Sequence, residues 1–151
     1  MKDLPAVVQL EQDAGLSSWG IAGYERELLN SQAVLLGLSC LEGDFLLGFF
    51  SGRITADEAE ILNLVINPNF RQGGLGGRLL IAAMAELSKH GMQTCWLEVR
   101  AQNLAAIRLY EKCGFGLVGR RRNYYQNPTE DALIMRWRDD SSGLDSLTAN
   151  H

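Results

Sequence analysis

Residues Arg71-Gln72-Gly73-Gly74-Leu75-Gly76-Gly77-Arg78 form a glycine cluster between two arginines, a composition suited to cradling a phosphate or pyrophosphate. Glycines let backbone N–H groups approach a ligand closely, and a helix that starts there adds unpaired N–H groups and the positive end of its dipole. No Gly-Lys-Ser/Thr closes the cluster, so it is not a nucleoside-triphosphate loop, and the six-residue dinucleotide fingerprint is absent. Taken alone, the cluster reads equally as a flexible turn ahead of a helix.

The flanking segments supply that helix and a strand. Glu60 to Ile66 is short and β-branched, and Asn67-Pro68-Asn69 ends it as a turn. Beyond the glycines, Leu79, Leu80, Ala83, Met84 and Leu87 recur at helical spacing until Gly91. Thr94 to Arg100 alternates, with Cys95, Leu97 and Val99 on one face and Trp96, Glu98 and Arg100 on the other. Asn103 caps a predicted helix over Leu104 to Lys112, and Gly114 ends it before a strand from Phe115 to Val118. The last strand is Ala132 to Trp137, and Arg120 to Asp131 reads as a polar, aromatic connection. Toward the N-terminus, helices are predicted over Leu4 to Ala14 and Trp19 to Leu29. Strands Ala33 to Leu41 and Phe45 to Ile54 follow, joined by the hairpin Glu42-Gly43-Asp44.

At 151 residues and 46% hydrophobic composition, the chain is expected to form a single domain over residues 1–138, with a polar, disordered tail over 139–151. No apolar run is long enough for a membrane span, and the N-terminal residues lack the apolar core of a signal peptide, so the expected location is the cytoplasm. A net charge of −4 argues against a nucleic-acid partner despite the local run Arg120-Arg121-Arg122. That run and Tyr124-Tyr125 remain open to three readings: a solvated hairpin, the rim of a substrate groove, or a nucleic-acid contact. With two histidines and three scattered cysteines (Cys40, Cys95, Cys113), no metal site is expected and the cysteines read as buried thiols.

Arg71-x-x-Gly74-x-Gly76, with a strand before and a helix after, resembles the pyrophosphate-binding motif of the GNAT acetyltransferases. The segment Leu97 to Phe115 is similar to the second half of that family and of its RimI branch in particular. Arg121-Arg122-Asn123-Tyr124-Tyr125, with Glu130-Asp131-Ala132 and Ile134-Met135, resembles the same branch. The resemblance runs from about Leu4 to Trp137. It implies a mixed α/β GNAT fold: a largely antiparallel twisted sheet, flanked by helices and splayed between the family's fourth and fifth strands to admit acetyl-CoA. One departure is that the family's opening strand is missing or vestigial. Either the true start lies upstream, or Ala33 to Leu41 is left as an edge that needs covering or self-association, so a monomer or weak dimer is expected.

The resemblance also distributes roles. The backbone of Arg71, Gln72, Gly73, Gly74, Leu75, Gly76 and Gly77 would hold the pyrophosphate, while Leu64, Val65, Ile66 and Asn103 would meet the pantetheine arm and thioester. Glu98 would be the general base, acting through ordered water, and Tyr110 would protonate the departing thiolate; Tyr124 would contact the acceptor. By residue type alone, Glu98 is a solvated strand carboxylate, Tyr110 a packing aromatic and Asn103 only a cap. The RimI branch implies acetylation of a protein N-terminus, an alanine of a ribosomal protein. The alternatives are a small-molecule amine acetyltransferase and a non-catalytic acetyl-CoA-binding module. An α-amine titrates near 8 and a lysine near 10.4, so supplying the neutral nucleophile at pH 7 differs by about 3 kcal/mol between them. A single carboxylate base therefore suits the N-terminal amine better.

Overall fold

The structure, a computed structural model, describes residues 5–6, 23, 25–27, 29–39, 45–71 and 73–140. Its elements are β1 (Ala33–Ser39), β2 (Leu46–Thr55), β3 (Glu58–Ile66), a 3-10 turn (Pro68–Phe70), α1 (Leu75–Lys89), β4 (Thr94–Arg100), α2 (Leu104–Lys112), β5 (Gly116–Tyr125) and β6 (Glu130–Arg138). The two N-terminal helices predicted from the sequence lie mostly outside the described residues, although residues 5–6, 23 and 25–27 are helical. The connection Glu42-Gly43-Asp44, Gln72 and the tail beyond residue 140 also lie outside them.

Six strands form one sheet in the order β1-β2-β3-β4-β6-β5. All pairs are antiparallel except β3 with β4. That parallel pair is short, holding only Glu58 with Thr94, Ala59 with Cys95 and Glu60 with Trp96. Beyond it, β3 continues along β2 and β4 along β6, so the sheet opens at the carboxyl ends of both strands. A bulge accompanies the opening: the β2–β3 register shifts between Ser51 and Gly52, where Ser51 faces Asn63 and Gly52 faces Ile61, leaving Leu62 as an extra residue. Such a bulge bends its strand and increases its twist, and it lies where pairing with β4 stops. The predicted opening between the family's fourth and fifth strands falls here between β3 and β4.

One face of the sheet carries the core. Phe50 of β2, Ala59 and Ile61 of β3, Cys95, Leu97 and Val99 of β4 and Met135 of β6 meet Leu79, Leu80, Ala83 and Leu87 of α1 and Tyr110 of α2. Phe50, Leu80 and Leu87 are wholly excluded from solvent; each contributes about 1.5–3 kcal/mol by burial. The other face holds Ser51, Arg53, Glu60, Trp96, Glu98 and Arg100. Glu27, only 3% exposed, ties its helical turn to this face by an ion pair with Arg53 at 2.9 Å.

β4 and α2 occupy the residues that their patterns predicted. Asn103 caps α2 by accepting a hydrogen bond from the Ala106 N–H at 3.2 Å, and Gly114 (φ 95°) takes the left-handed turn after it. Asn103→Ala is expected to cost about 1 kcal/mol, read as a lower urea midpoint with an unchanged slope.

Two readings require correction. The stretch from Arg120 to Asp131 is not an irregular connection, because β5 runs to Tyr125 and β6 starts at Glu130. β5 is the outermost strand and is mostly exposed, so no apolar alternation marks it, and its register with β6 shifts twice. Charged residues and bulges are how exposed sheet edges resist pairing with other chains. Cys113 is only half-buried at the carboxyl end of α2, unlike the buried Cys95. Burial, and secondarily the charge of Glu60, pushes the Cys95 thiol up to about 12, which keeps it protonated and inert. Cys40 lies outside the described residues. At the opposite margin of the sheet, no described strand lies beyond β1.

Candidate active site

The glycine cluster spans the end of β3 and the start of α1. Gly74 is the N-cap with φ 76°, a left-handed conformation costly for other residues. Among the described residues no side chain caps this helix, and its first turn holds no acidic residue, so its leading N–H groups are left for a ligand. Among the described residues, a Cβ on Gly74 would meet nothing within 4 Å, and one on Gly73 only the Phe70 carbonyl at 3.9 Å, so they leave this side of the loop open. Exposed Arg71 and Arg78 flank it. Uncapped donors, an open approach and two cations fit a pyrophosphate.

Gly76 serves a second purpose that the sequence did not reveal. Its Cβ would sit 3.3 Å from Leu109 and 3.7 Å from Ile66, and that of Gly77 3.6 Å from Leu109. These glycines therefore let α1 pack directly on α2 and the end of β3. Arg71 is anchored by donating from Nε to the Ile66 carbonyl at 3.4 Å. Leu64, Val65 and Ile66 form the arm of β3 that has left β4, which places their backbone along the gap.

Glu98 and Tyr110 stand on opposite faces of the sheet. Glu98 projects from β4 on the face away from α1, with its side chain 25% exposed and Arg121 Nε at 3.5 Å. Tyr110 belongs to the core on the helix face, its ring edge-on to Phe115 at 5.7 Å. The opening between β3 and β4 connects the two faces. Burial, then Cys95 and Tyr125, raises the Tyr110 phenol above the ordinary tyrosine range, so it holds its proton throughout the neutral range.

Tyr124 is 48% exposed and stands beside Glu98. Its phenol is raised above its ordinary value chiefly by a hydrogen bond to the Glu98 carboxylate, with Arg121 opposing. The Arg121 guanidinium lies 5.5 Å from the Tyr124 ring centroid, and Tyr124 meets Tyr125 edge to face at 5.1 Å. Arg100 stacks on Tyr125 at 4.2 Å and pairs with Glu130 at 3.3 Å. Arg120 pairs with Asp131 at 3.2 Å. The basic run is therefore divided, with Arg121 turned to Glu98 and Arg120 to Asp131.

Glu98 lines a cleft of about 630 Å³ on this face, with Glu58, Glu60 and Trp96 among its walls and Arg53 and Arg121 at its sides. Sequence reasoning did not single out Arg121 as the partner of Glu98, or Glu58 and Glu60 as cleft residues. Strand alternation in Glu58-Ala59-Glu60-Ile61 carried the latter signal. Arg121 was hidden because its segment was read as a connection, where alternation does not apply.

Residues 4–115 match the Acetyltransferase (GNAT) family. The [ribosomal protein bS18]-alanine N-acetyltransferase of Salmonella typhimurium is 40% identical over 136 residues, which cover 88% of this chain and 89% of that protein. The crystal structure of the ribosomal-protein-S18-alanine N-acetyltransferase from Escherichia coli superposes with a TM-score of 0.82 at 36% identity, covering 91% of this chain and 88% of the other. The PaiA N-acetyltransferase from Thermoplasma acidophilum, solved with coenzyme A, shares the fold with a TM-score of 0.74 at 23% identity, over 91% and 94% of the two chains. With a family match across most of its length and close kinship to named acetyltransferases, the chain belongs to the GNAT family, in its RimI branch, and is an acetyl-CoA-dependent acyltransferase.

Proposed function

We propose that this enzyme acetylates the α-amine of a protein N-terminus, an alanine of the ribosomal protein equivalent to bS18. The observation that carries this reading is the placement of Glu98 and Tyr110 on opposite faces of the sheet, joined through the opening between β3 and β4. Acetyl-CoA lies on the helix side, with its pyrophosphate on the N–H groups of residues 73–77, Arg71 beside it, and its pantetheine along Leu64, Val65 and Ile66 with Asn103 in reach. The peptide enters from the cleft side, where Tyr124 meets it.

The chemistry balances with these groups. The neutral amine attacks the thioester carbonyl, forming the N–C bond, and Glu98 accepts the proton that the nitrogen loses. Backbone N–H groups of the opened strand stabilise the oxyanion. As the C–S bond breaks, Tyr110 donates its proton to the sulfur, yielding the acetylated N-terminus and free coenzyme A. Arg121 and Tyr124 orient the carboxylate of Glu98.

A ribosomal acceptor supports a cytoplasmic location, and among the described residues no helix is long and apolar enough to cross a membrane. That no described strand lies beyond β1 supports a monomer or a weak dimer paired through that edge.

The test is coenzyme A release with three peptides: an alanine-starting ribosomal N-terminal sequence, the same sequence blocked at its α-amine, and a blocked sequence containing lysine. Release with the first alone is the expected result. Equal release with the lysine peptide would overturn α-amine selectivity, and release only with small amines would move the substrate to that class.

A further inference from the structure

The cleft beside Glu98 holds more negative charge than proton transfer requires. Its two lining cations are already engaged, Arg53 by Glu27 at 2.9 Å and Arg121 by Glu98 at 3.5 Å. Among the described residues, no cation lies within ion-pair distance of Glu58 or Glu60. Alternation puts Glu58 and Glu60 on the same face as Glu98, with Ala59 and Ile61 turned into the core. Both are exposed to the cleft.

Their distance from the chemistry follows from register. Glu60 is opposite Trp96, two residues before Glu98 on the neighbouring strand. Two residues of strand span about 6.6 Å and one strand spacing about 4.8 Å. An amine beside Glu98 would thus place Glu60 about two residues into an extended peptide. Glu60 faces Arg53 across the β2–β3 pair, and its charge adds small contributions that raise the Arg53 guanidinium and the Tyr124 phenol.

We infer that Glu60, with Glu58 behind it, makes this cleft select acceptor peptides whose second and third residues carry cationic side chains. This deepens the N-terminal transferase reading and rests on it. A cationic side chain there gains attraction from Glu58 and Glu60, with which no cation among the described residues is within ion-pair distance, whereas an acidic one adds like charge beside Glu60, Glu58 and Glu98. Because these groups are solvated, the selection is modest and sensitive to salt.

The test compares alanine-starting peptides that differ only at positions two and three, bearing Arg-Arg, Ala-Ala or Glu-Glu. The readout is the ratio of kcat/KM for Arg-Arg over Glu-Glu, which does not depend on the fraction of enzyme that is folded. A ratio of about tenfold or more is expected at low salt, shrinking toward unity near 1 M salt. Glu60→Gln is expected to reduce the ratio about threefold, and Glu60→Lys to level or invert it. An unchanged ratio in both variants, or no preference in the parent enzyme, would overturn the inference while leaving N-terminal acetylation intact. If none of the three peptides is acetylated, the N-terminal reading and this inference fall together.

Discussion

Glu98→Gln is expected to lower kcat by about 10²- to 10⁴-fold, the usual span for losing a positioned general base, with acetyl-CoA binding retained. Glutamine keeps the size of the side chain and an oxygen that can still accept from Arg121 and Tyr124, so the hairpin that carries them should stay in place. What is lost is the capacity to take a proton. The pH profile sharpens the test. A free α-amine titrates near 8, so the residual rate of the variant should climb through that range as the amine reaches the site already neutral. Thermal melting and calorimetric titration with coenzyme A would show whether fold and cofactor site are intact. Wild-type kcat in a folded variant would remove Glu98 from the mechanism.

Tyr110→Phe is expected to reduce kcat by about 10²-fold with little change in KM for acetyl-CoA. The ring is buried against Phe115 at 5.7 Å and is part of the core that also contains Leu97 and Val99. Phenylalanine preserves that packing, which a change to alanine would not; loss of a buried aromatic costs about 3–5 kcal/mol. The substitution therefore separates the hydroxyl from the ring. Because burial holds the phenol above its ordinary titration range, the parent enzyme should show no loss of activity from Tyr110 deprotonation at neutral or mildly alkaline pH. Tyr110→Phe enzyme turning over at the parental rate, with an unchanged melting temperature, would leave the tyrosine a core residue only.

The two variants together probe both sides of the sheet. If both abolish turnover while coenzyme A still binds, the opening between β3 and β4 is where amine and thioester meet. A defect confined to one of them would show that only one face contributes a proton-transfer group.

Much of this architecture was legible in the chain because it depends on local rules. The alternation in Thr94 to Arg100 put Glu98 beside Trp96, the spacing of Leu79, Leu80, Ala83 and Leu87 marked α1, and Asn103 and Gly114 marked the ends of α2. The glycine cluster between strand and helix, joined to the motifs of the second half, pointed to the family that the relatives share. These signals are periodicity, capping and backbone freedom, all written in adjacent residues.

Tertiary structure alone decided which groups share a site. The break in the β3–β4 pair coincides with a shift in the register of β3 against β2 at Ser51 and Asn63, a relation between strands that neither strand encodes by itself. Gly76 looked like part of a ligand loop, yet its missing Cβ also makes room for Leu109 of a helix about thirty residues away. Arg121 reaches Glu98 because β5 and β6 pair as a hairpin beside β4, and Glu60 enters the same cleft because a crossover helix brings β3 and β4 side by side. Local sequence determined each element and the chemistry each could offer. The distances between those chemistries came from strand register and helix packing, which are set by contacts between residues far apart in the chain.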